Sequence, residues 1–425
     1  MPTSSSRGRL VVLVNDARFL LTHRMELVEA ARTRGYDVIV AAPHPITDSI
    51  ADAVEVIRAR GFPVEFVGFR SQSLDPFSEG RGVAQIASLY RRLRPRIAHH
   101  VTIKPVLYGT VAARLAHVPG VVNAISGLGT LFGSAGPWTV ATRAMARTAY
   151  RMVLRHPNTR VIFQNADDRR TFLDARVIRP ALARLIPGSG VRVESFSGLP
   201  EPAGPPVVVL TARLLRQKGV YEFAAAARQL RAAGLEARFA LVGDAAANRD
   251  AVPGETLAEW QRSGIVELWG WRTDMRAVLA HTTIVCLPSY YREGVPKALL
   301  EAAAAGRAIV TTDMPGCRDI VTHDVSGLLV PPRDVSALAG ALRRLITEPA
   351  TRARLGAAAQ SVAAERFALE RVIGATLAVY EELDAPATAA ASPGSSAVEA
   401  ARAATRERAT ITTPKPSARW SQESG

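Results

Sequence analysis

The chain has 425 residues, of which 48% are hydrophobic and 21% charged. This length and balance exclude a small disulfide-stapled module and a disordered chain, and they predict two or three folded domains. Lys and Arg (53) outnumber Asp and Glu (38), which gives a net charge of +15, and the only two cysteines have no metal-binding spacing.

The excess of positive charge is concentrated in one segment. Between Gly80 and Ala166 the sequence holds twelve Arg and Lys residues and no Asp or Glu. Such an uneven distribution indicates an anionic partner, such as phosphate groups, acidic lipid or nucleic acid. A basic nucleic-acid-binding protein is therefore one alternative, although only 6% of the residues are aromatic and no nucleic-acid motif is present.

Short apolar runs alternate with helical-period segments in the first half of the chain, which predicts strand–helix units around a parallel sheet. Helices are predicted over 19–34 and 83–93. The predicted strands are 10–14, 36–41, 64–68, 97–101, 121–125 and 161–163. The run 10–14 is too short for the apolar core of a signal peptide, and no apolar stretch approaches the length of a membrane span, so we expect a cytoplasmic protein.

A segment rich in proline and glycine, 187–206, separates this half from a second alternation of the same kind. The strands predicted there are 207–210, 238–242, 266–268, 283–287, 308–312 and 327–330. We therefore predict an α/β protein with two Rossmann-like, doubly wound domains, 1–195 and 196–366. A final helix, 367–384, is expected to pack back on the first domain, and the tail 385–425 is expected to be disordered.

Ligands of doubly wound sheets bind at the carboxyl ends of the strands, so the most informative stretch is 289–301, which follows one such strand and opens a helix. Pro296 suits the first helical position, and free backbone N–H groups at Gly294, Lys297 and Ala298 would form an anion site. Lys297 has an alternative role in an i,i+4 ion pair with Glu301. Glu293 lies in the loop before the helix and has no such structural role.

This stretch resembles the signature of family 4 retaining glycosyltransferases with the GT-B fold, in which seven residues separate two glutamates, here Glu293 and Glu301. A second segment, 208–219, is similar to the loop in which the family's members hold the donor diphosphate with an Arg and a Lys, here Arg213 and Lys218. The alternative for these two cations is a pair of solvated surface charges.

The amino half resembles a narrower branch that builds capsular polysaccharide, O-antigen and other lipid-linked glycans. The segments that carry this resemblance are 22–24, 100–109, 123–129 and 186–191. Two departures stand out: the loop 15–18 lacks the glycines that many members have there, and Arg192 stands where relatives often have Asp. The first departure argues against binding of the donor phosphates by backbone N–H groups of that loop.

The resemblance implies transfer of a sugar, with retention, from a nucleotide diphosphate sugar, most simply a UDP-hexose or UDP-N-acetylhexosamine, to an undecaprenyl-diphosphate-linked saccharide. A glycosyltransferase with a soluble acceptor is the alternative. No Asp-x-Asp motif lies in the donor half, so neither metal nor cofactor is expected. The implied catalytic residues are Glu293, Arg213 and Lys218. The implied donor-binding residues are Glu301, Gly294, Val295, Lys297, Ala298, Trp271 and Arg272. Trp271 has an equal alternative as a core residue.

Polar residues in the basic amino half are candidates for the acceptor and the membrane. For the acceptor's diphosphate these are His100, Lys104, His23 and Arg24, each with a structural alternative. A predicted helix from about 137 to 155 carries a stripe of arginines at Arg143, Arg147, Arg151 and Arg155. Such a helix suits an anionic membrane surface, here the inner face of the plasma membrane, or else it has an ordinary solvated face.

Overall fold

A computed structural model describes residues 6–69, 75–129, 137–244, 248 and 250–384 of the protein. Within this part of the chain the strands and helices form one compact unit, which ends at Leu383. The predicted disordered tail, 385–425, lies outside the described residues.

Seven parallel strands form the amino-terminal sheet. They are β1 (Arg9–Leu13), β2 (Asp37–Pro43), β3 (Val64–Val67), β4 (Ile97–Val101), β5 (Gly120–Ile125), β6 (Thr159–Phe163) and β7 (Ala183–Leu185). Their spatial order is β3-β2-β1-β4-β5-β6-β7. The six strands predicted here are confirmed to within two residues at each end, and only β7 was not predicted. The central strands are buried on both faces because helices cover both.

Seven helices cover this sheet. They are α1 (Ala17–His23), α2 (Met25–Thr33), α3 (Asp48–Ala59), α4 (Pro76–Leu93), α5 (Ile103–Leu115), α6 (Pro137–Val153) and α7 (Ala166–Asp174). The single helix predicted over 19–34 is wrong, because the chain breaks at Arg24, whose φ is −136° and ψ 1°. Helix α4 begins earlier than predicted because the Asp75 side chain caps it and Pro76 fits its first turn.

Six parallel strands form the carboxyl-terminal sheet. They are β8 (Val207–Thr211), β9 (Arg238–Val242), β10 (Glu267–Gly270), β11 (Ile284–Leu287), β12 (Ala308–Thr312) and β13 (Leu328–Val330). Their order is β10-β9-β8-β11-β12-β13, and all six predicted strands are confirmed. The helices of this half are α8 (Val220–Ala232), α9 (Gly254–Arg262), α10 (Met275–Ala280), α11 (Lys297–Ala304), α12 (Cys317–Ile320), α13 (Val335–Thr347) and α14 (Pro349–Phe367).

The two sheets make two doubly wound lobes, as the predicted fold class requires. The chain passes between them near Val191, which accepts from the backbone of Leu369 at 3.0 Å and donates to Phe367 at 2.9 Å. Gly190 permits this contact, because its φ is +78° and a Cβ there would lie 2.8 Å from Leu369 Cα. The last helix, α15 (Leu369–Asp384), buries Tyr380 in the core of the amino lobe.

Candidate active site

Two loops of the carboxyl lobe meet where β8 and β11 end. One turns through Arg216–Lys218 into α8, and the other runs from Ser289 to Pro296 into α11. Gly219 lets them approach: its φ is +76°, and a Cβ there would lie 2.2 Å from the Pro288 carbonyl oxygen. A residue with a side chain would push the loops apart.

Lys218 and Glu293 form an ion pair across these two loops. The Lys218 Nζ donates to Glu293 Oε1 at 2.6 Å, and Ser289 Oγ donates to the same oxygen at 2.8 Å. Both charged side chains are largely shielded from solvent, at 13% and 11% exposure. The sequence separates these two residues by 75 positions, and the fold brings them into contact.

Arg213 lies near the same pair. It follows β8 and is exposed. Its charge and that of Glu293 both act on Tyr291, whose pKa is raised by burial and by Glu293 and lowered by Arg213. The Lys218 Nζ lies 5.7 Å from the centre of the same ring. All three predicted catalytic residues therefore influence Tyr291, a residue that was not predicted as part of the site.

Lys297 and Glu301 lie in α11, and Lys297 makes one contact that was predicted and one that was not. Its Nζ is 3.7 Å from Glu301 Oε1, so the i,i+4 pair exists, and it also donates to the Thr22 carbonyl oxygen of the amino lobe. Burial raises the pKa of the Glu301 carboxyl, and Lys297 opposes this shift. Pro296 is the N-cap residue of α11, so it lies one position before the first helical position that was predicted for it.

The backbone around Gly294 is in contact with the amino lobe. The Val295 N–H donates to Gln164 Oε1 at 3.3 Å, so this predicted donor-binding group is engaged within the protein. Gly294 has no space for a side chain, because a Cβ would lie 1.9 Å from Gln164 Oε1. The N–H groups of Lys297 and Ala298 lie in the first turn of α11.

Trp271 and Arg272 follow β10. Trp271 is 51% exposed, which excludes the alternative of a core residue. Arg272 is exposed beside it. Both positions suit a flat ligand on the outside of the lobe, and their donor-binding role stays a prediction.

His100 does not line the cleft as the sequence analysis expected. It belongs to β4 itself, so its side chain points to a face of the sheet and is fully buried. Its Nδ1 donates to Asn123 Oδ1 at 2.8 Å, and its Nε2 accepts from the Tyr90 hydroxyl at 3.0 Å. Burial lowers its pKa to about 4, so the ring is neutral. This position does not favour contact with an acceptor.

Lys104 lies in the first turn of α5 and is largely shielded. Its Nζ donates to Glu79 Oε1 of α4 at 2.9 Å, and the two side chains are 15% and 12% exposed. An anionic ligand of Lys104 would have to displace this carboxylate. Its predicted acceptor role requires such an exchange.

His23 and Arg24 lie at the junction of the lobes. The His23 ring stacks on Phe19, and its pKa is lowered to about 3 by burial and by the charges of Lys297 and Arg24. Arg24 is 5% exposed, and in the described part of the chain its Nε has no hydrogen-bond partner. Burial lowers the Arg24 pKa to about 10, so it remains charged at neutral pH.

The basic stripe of α6 is partly exposed. Arg147 and Arg155 are exposed, although Arg155 lies beyond the end of the helix, and Arg151 is engaged with the Ala175 carbonyl oxygen at 2.6 Å. The side chain of Arg143 lies outside the described residues. Met145 and Met152 of the same helix are exposed, whereas Tyr150 is buried in the core.

The described residues include neither a metal-binding cluster nor a membrane-spanning helix. Among them, no group of three or more His, Cys, Asp or Glu side chains is placed to hold a metal ion. No helix in the same ranges combines the length and the apolar character that a membrane span requires.

Two families match the chain, one on each lobe. The family described as Glycosyl transferase 4-like matches residues 10–165, and the family described as Glycosyl transferases group 1 matches residues 205–348. These ranges coincide with β1–β6 and β8–β13.

Individual relatives agree with these matches. The N,N'-diacetylbacillosaminyl-diphospho-undecaprenol alpha-1,3-N-acetylgalactosaminyltransferase of Campylobacter jejuni is 26% identical over 78% of this chain and 88% of its own length. The UDP-Gal:alpha-D-GlcNAc-diphosphoundecaprenol alpha-1,3-galactosyltransferase of Escherichia coli is 25% identical over 71% of this chain and 77% of its own. Anabaena Alr3699/HepE, solved in complex with UDP-glucose, superposes with a TM-score of 0.67 at 21% identity, over 88% of this chain and 99% of that one.

Proposed function

Since the chain belongs to the group 1, family 4-like glycosyltransferases of the GT-B fold, we propose that it transfers a hexose or N-acetylhexosamine from its UDP derivative to a polyprenyl-diphosphate-linked saccharide, with retention and without metal. The observation that carries this proposal is the shielded contact of Lys218 with Glu293 at 2.6 Å, in loops that follow two strands of the donor lobe. In this contact, a cation that can bind phosphate lies against a carboxylate that can accept hydrogen bonds from sugar hydroxyls.

The donor diphosphate is stabilised by Arg213, Lys218 and the amino terminus of α11. Negative charge grows on the diphosphate as the glycosidic bond breaks, and cations fixed beside it lower that barrier. A bound phosphate competes with Glu293 for Lys218. When Lys218 turns to the phosphate, the Glu293 carboxylate becomes free to accept from the hydroxyls of the donor sugar.

The nucleoside binds further along the same lobe. Glu301 accepts from the ribose hydroxyls, and Lys297 holds it in place through their ion pair at 3.7 Å. Trp271 offers an exposed aromatic face to the base, with Arg272 beside it. This arrangement supports a UDP donor, as does the UDP-glucose bound by the Anabaena structure.

Transfer proceeds on one face of the donor sugar. The bond from C1 to the phosphate oxygen breaks, the acceptor oxygen bonds to C1, and the acceptor's proton moves to the departing phosphate, so no protein nucleophile is required. The names of both relatives specify alpha-linked products, and the E. coli enzyme uses UDP-Gal, whose galactose is also alpha-linked. An alpha donor and an alpha product mean retention.

The acceptor is a saccharide on undecaprenyl diphosphate, as in the names of both relatives. Of the four predicted residues for its diphosphate, His23 and Arg24 lie at the junction of the lobes, and Arg24 is a buried cation whose Nε has no hydrogen-bond partner among the described residues. Lys104 contributes after exchange with Glu79. Buried His100 supports the amino lobe from within.

Binding to the inner face of the plasma membrane brings the enzyme to this acceptor. The exposed Arg147 and Arg155 face acidic lipid, and Met145 and Met152 enter the interface. Arg151 is held by the Ala175 carbonyl and contributes less.

A screen of nucleotide sugars tests the donor. UDP-galactose, UDP-glucose and their N-acetyl derivatives are expected to raise the melting temperature of the protein, because they bind only the native state. GDP-mannose is the comparison, and a preference for it would overturn the UDP assignment.

A transfer assay with a synthetic undecaprenyl-diphosphate-linked monosaccharide tests the reaction. We expect product in the presence of EDTA, with alpha anomeric configuration by NMR. Loss of activity with EDTA, or a beta product, would contradict the proposed mechanism. Transfer to the free monosaccharide at the same rate would contradict the lipid-linked acceptor.

A further inference from the structure

The loop that carries Glu293 is held by the opposite lobe. Four consecutive residues, Arg292 to Val295, each form a backbone hydrogen bond with the amino lobe. The side chain of Arg292 also contacts that lobe. On the amino lobe the partners lie in three places: the loop after β5, the segment that joins β6 to α7, and α7 itself. The catalytic role of Glu293 uses none of them.

Asn165 makes two of the hydrogen bonds in this contact. Its Oδ1 accepts from the Asp168 N–H at 2.7 Å and so caps α7. Its Nδ2 donates to the carbonyl oxygens of Glu293, at 3.0 Å, and Gly294, at 3.3 Å. One rigid side chain thus joins the start of a helix in one lobe to the backbone of the acidic loop in the other.

Asp168 and Arg292 form a second link. Arg292 Nη2 donates to Asp168 Oδ1 at 2.9 Å, and the Asp168 side chain has no exposed surface. Its other oxygen accepts from Asn165 Nδ2 at 3.0 Å. Arg292 is the only cation paired with Asp168 among the described residues, and it comes from the other lobe. Separation of the lobes would leave a buried carboxylate without its counter-charge.

The approach of the loops is as close as backbone allows. Gly129 N–H donates to the Arg292 carbonyl at 3.1 Å. A Cβ on Gly127 would lie 2.6 Å from the Gly294 nitrogen, and both glycines have positive φ, +105° at Gly127 and +59° at Gly129. With no side chains between them, a small displacement of one lobe changes every one of these contacts.

We infer that Asn165 and Asp168 are positioning residues that fix the Glu293 loop only when the lobes are closed. Lys218 and Arg213 belong entirely to the carboxyl lobe, so the diphosphate binds whether or not the lobes are closed. The carboxylate that holds the sugar reaches its working position on closure. The part played by Glu293 rests on the proposed function, whereas the holding of its loop does not.

Hydrogen exchange measured by mass spectrometry tests the holding of the loop without any substrate. In the full-length protein we expect Asn165→Ala and Asp168→Ala to accelerate exchange in the peptide covering 290–296, with the strands of both sheets unchanged. The matched control is Asp174→Ala, an exposed carboxylate on the same helix. Unchanged exchange in both variants overturns the inference. If Asp168→Ala unfolds the lobe, Asp168→Asn is measured in its place, since it keeps the shape and loses the charge.

Kinetics test the consequence for the reaction. Asp168→Asn and Asn165→Ala are expected to lower kcat by about 10- to 100-fold, the usual effect of a slightly misplaced catalytic group, with little change in the Kd for UDP. Arg292→Lys, which keeps the charge, is expected to recover part of the activity that Arg292→Ala loses. A weakened Kd for UDP with normal kcat overturns the inference.

The pH profile separates positioning from a purely structural role. The pKa of Asp168 is raised to about 6 by burial, against the opposing effect of Arg292, and the neighbouring charge on its own helix is Asp167. Tyr150 of α6 also faces it and is neutral, because burial raises its pKa. As pH falls through about 6, Asp168 gains a proton, the link to Arg292 weakens and kcat of the native enzyme declines. Asp168→Asn is expected to lose this acid limb, and an unchanged limb contradicts the inference.

The two proposals can fail separately. Absence of transfer with every nucleotide sugar would refute the proposed function, whereas the hydrogen-exchange experiment would still test whether Asn165 and Asp168 hold the loop.

Discussion

The two lobes, here called the carboxyl wall and the amino wall, both contain polar residues near strand ends, but they use them differently. In the carboxyl lobe Lys218 and Glu293 lie in loops beyond the strands and contact each other at 2.6 Å. In the amino lobe His100 lies inside β4 and has both ring nitrogens hydrogen-bonded to its own lobe. The side chain of a residue that still belongs to a strand, such as His100, points to a face of the sheet. The side chain of a residue in the loop after the strand is available to a ligand.

Removal of the Lys218–Glu293 pair provides the strongest test of this difference. Lys218→Ala and Glu293→Gln are each expected to lower transfer by about 10²–10³-fold, the usual loss when a preorganised charge is removed. Calorimetry should show weaker UDP binding in Lys218→Ala than in Glu293→Gln. Glu259→Gln, an exposed carboxylate of α9, is the control. Near-normal transfer in either variant would show that the carboxyl wall is not catalytic.

His100→Ala examines the opposite wall. It removes the hydrogen bond of the buried Tyr90 hydroxyl and one of those made by the Asn123 side chain, and it leaves a cavity, so we expect the free energy of unfolding to fall by about 2–4 kcal/mol. Urea denaturation measures this change. If stability is unaffected while KM for the acceptor rises, His100 belongs to the site and the comparison of the two walls is wrong.

Gly219 permits the contact between the two loops of the carboxyl wall. Gly219→Ala adds a Cβ 2.2 Å from the Pro288 carbonyl oxygen, so it should displace Lys218 from Glu293 and lower both stability and transfer. Gly234→Ala is the matched control, with φ +74° and nothing within 4 Å of its Cβ. The control is expected to lose only about 1 kcal/mol through backbone strain. Equal effects in both variants would show that the close approach of the loops is unimportant.

The stability of the amino wall should depend on pH. Burial holds the pKa of His100 near 4, below its ordinary value of 6.5, so the folded protein resists protonation that the unfolded chain accepts. This contribution is present above pH 6.5 and is lost as pH falls toward 4, by up to about 1.4 kcal/mol per pH unit. The difference in unfolding free energy between the native protein and His100→Ala should therefore shrink over that range. A constant difference would show that His100 is protonated in the fold.

The smallest expected effect concerns the membrane. Arg147→Glu and Arg155→Glu should each weaken binding to vesicles of phosphatidylglycerol, because one cation near acidic lipid contributes about 1 kcal/mol. Arg343→Glu on α13 changes the net charge equally and is the control. Equal weakening by all three variants would indicate attraction by net charge, without a membrane-facing helix.

Much of the fold could be predicted because its signals are local. Short apolar runs predicted twelve of the thirteen strands found in the described residues, all except the three-residue strand β7. The helix break at Arg24 could not be predicted, because no Gly or Pro lies in the sequence around it. The start of α4 did have a signal, since Asp75 and Pro76 are a favourable cap and first-turn residue.

The candidate site was only partly predictable. Lys218, Glu293, Lys297 and Glu301 stand in recognisable local motifs, and the structure gathers them on one wall. Asn165, Asp168 and Arg292 were not anticipated. The only sequence signal for Asn165 was its place as a polar residue just after a strand.

By itself the sequence determined the alternation of strands and helices, the two doubly wound lobes and the family, because each depends on residues close together in the chain. Tertiary structure decided what each polar group faces. Arg292 and Asp168 are 124 residues apart, and no local sequence pattern can predict their contact. Likewise, His100 turned inward because Tyr90 and Asn123 supply hydrogen bonds that only the packed lobe brings together.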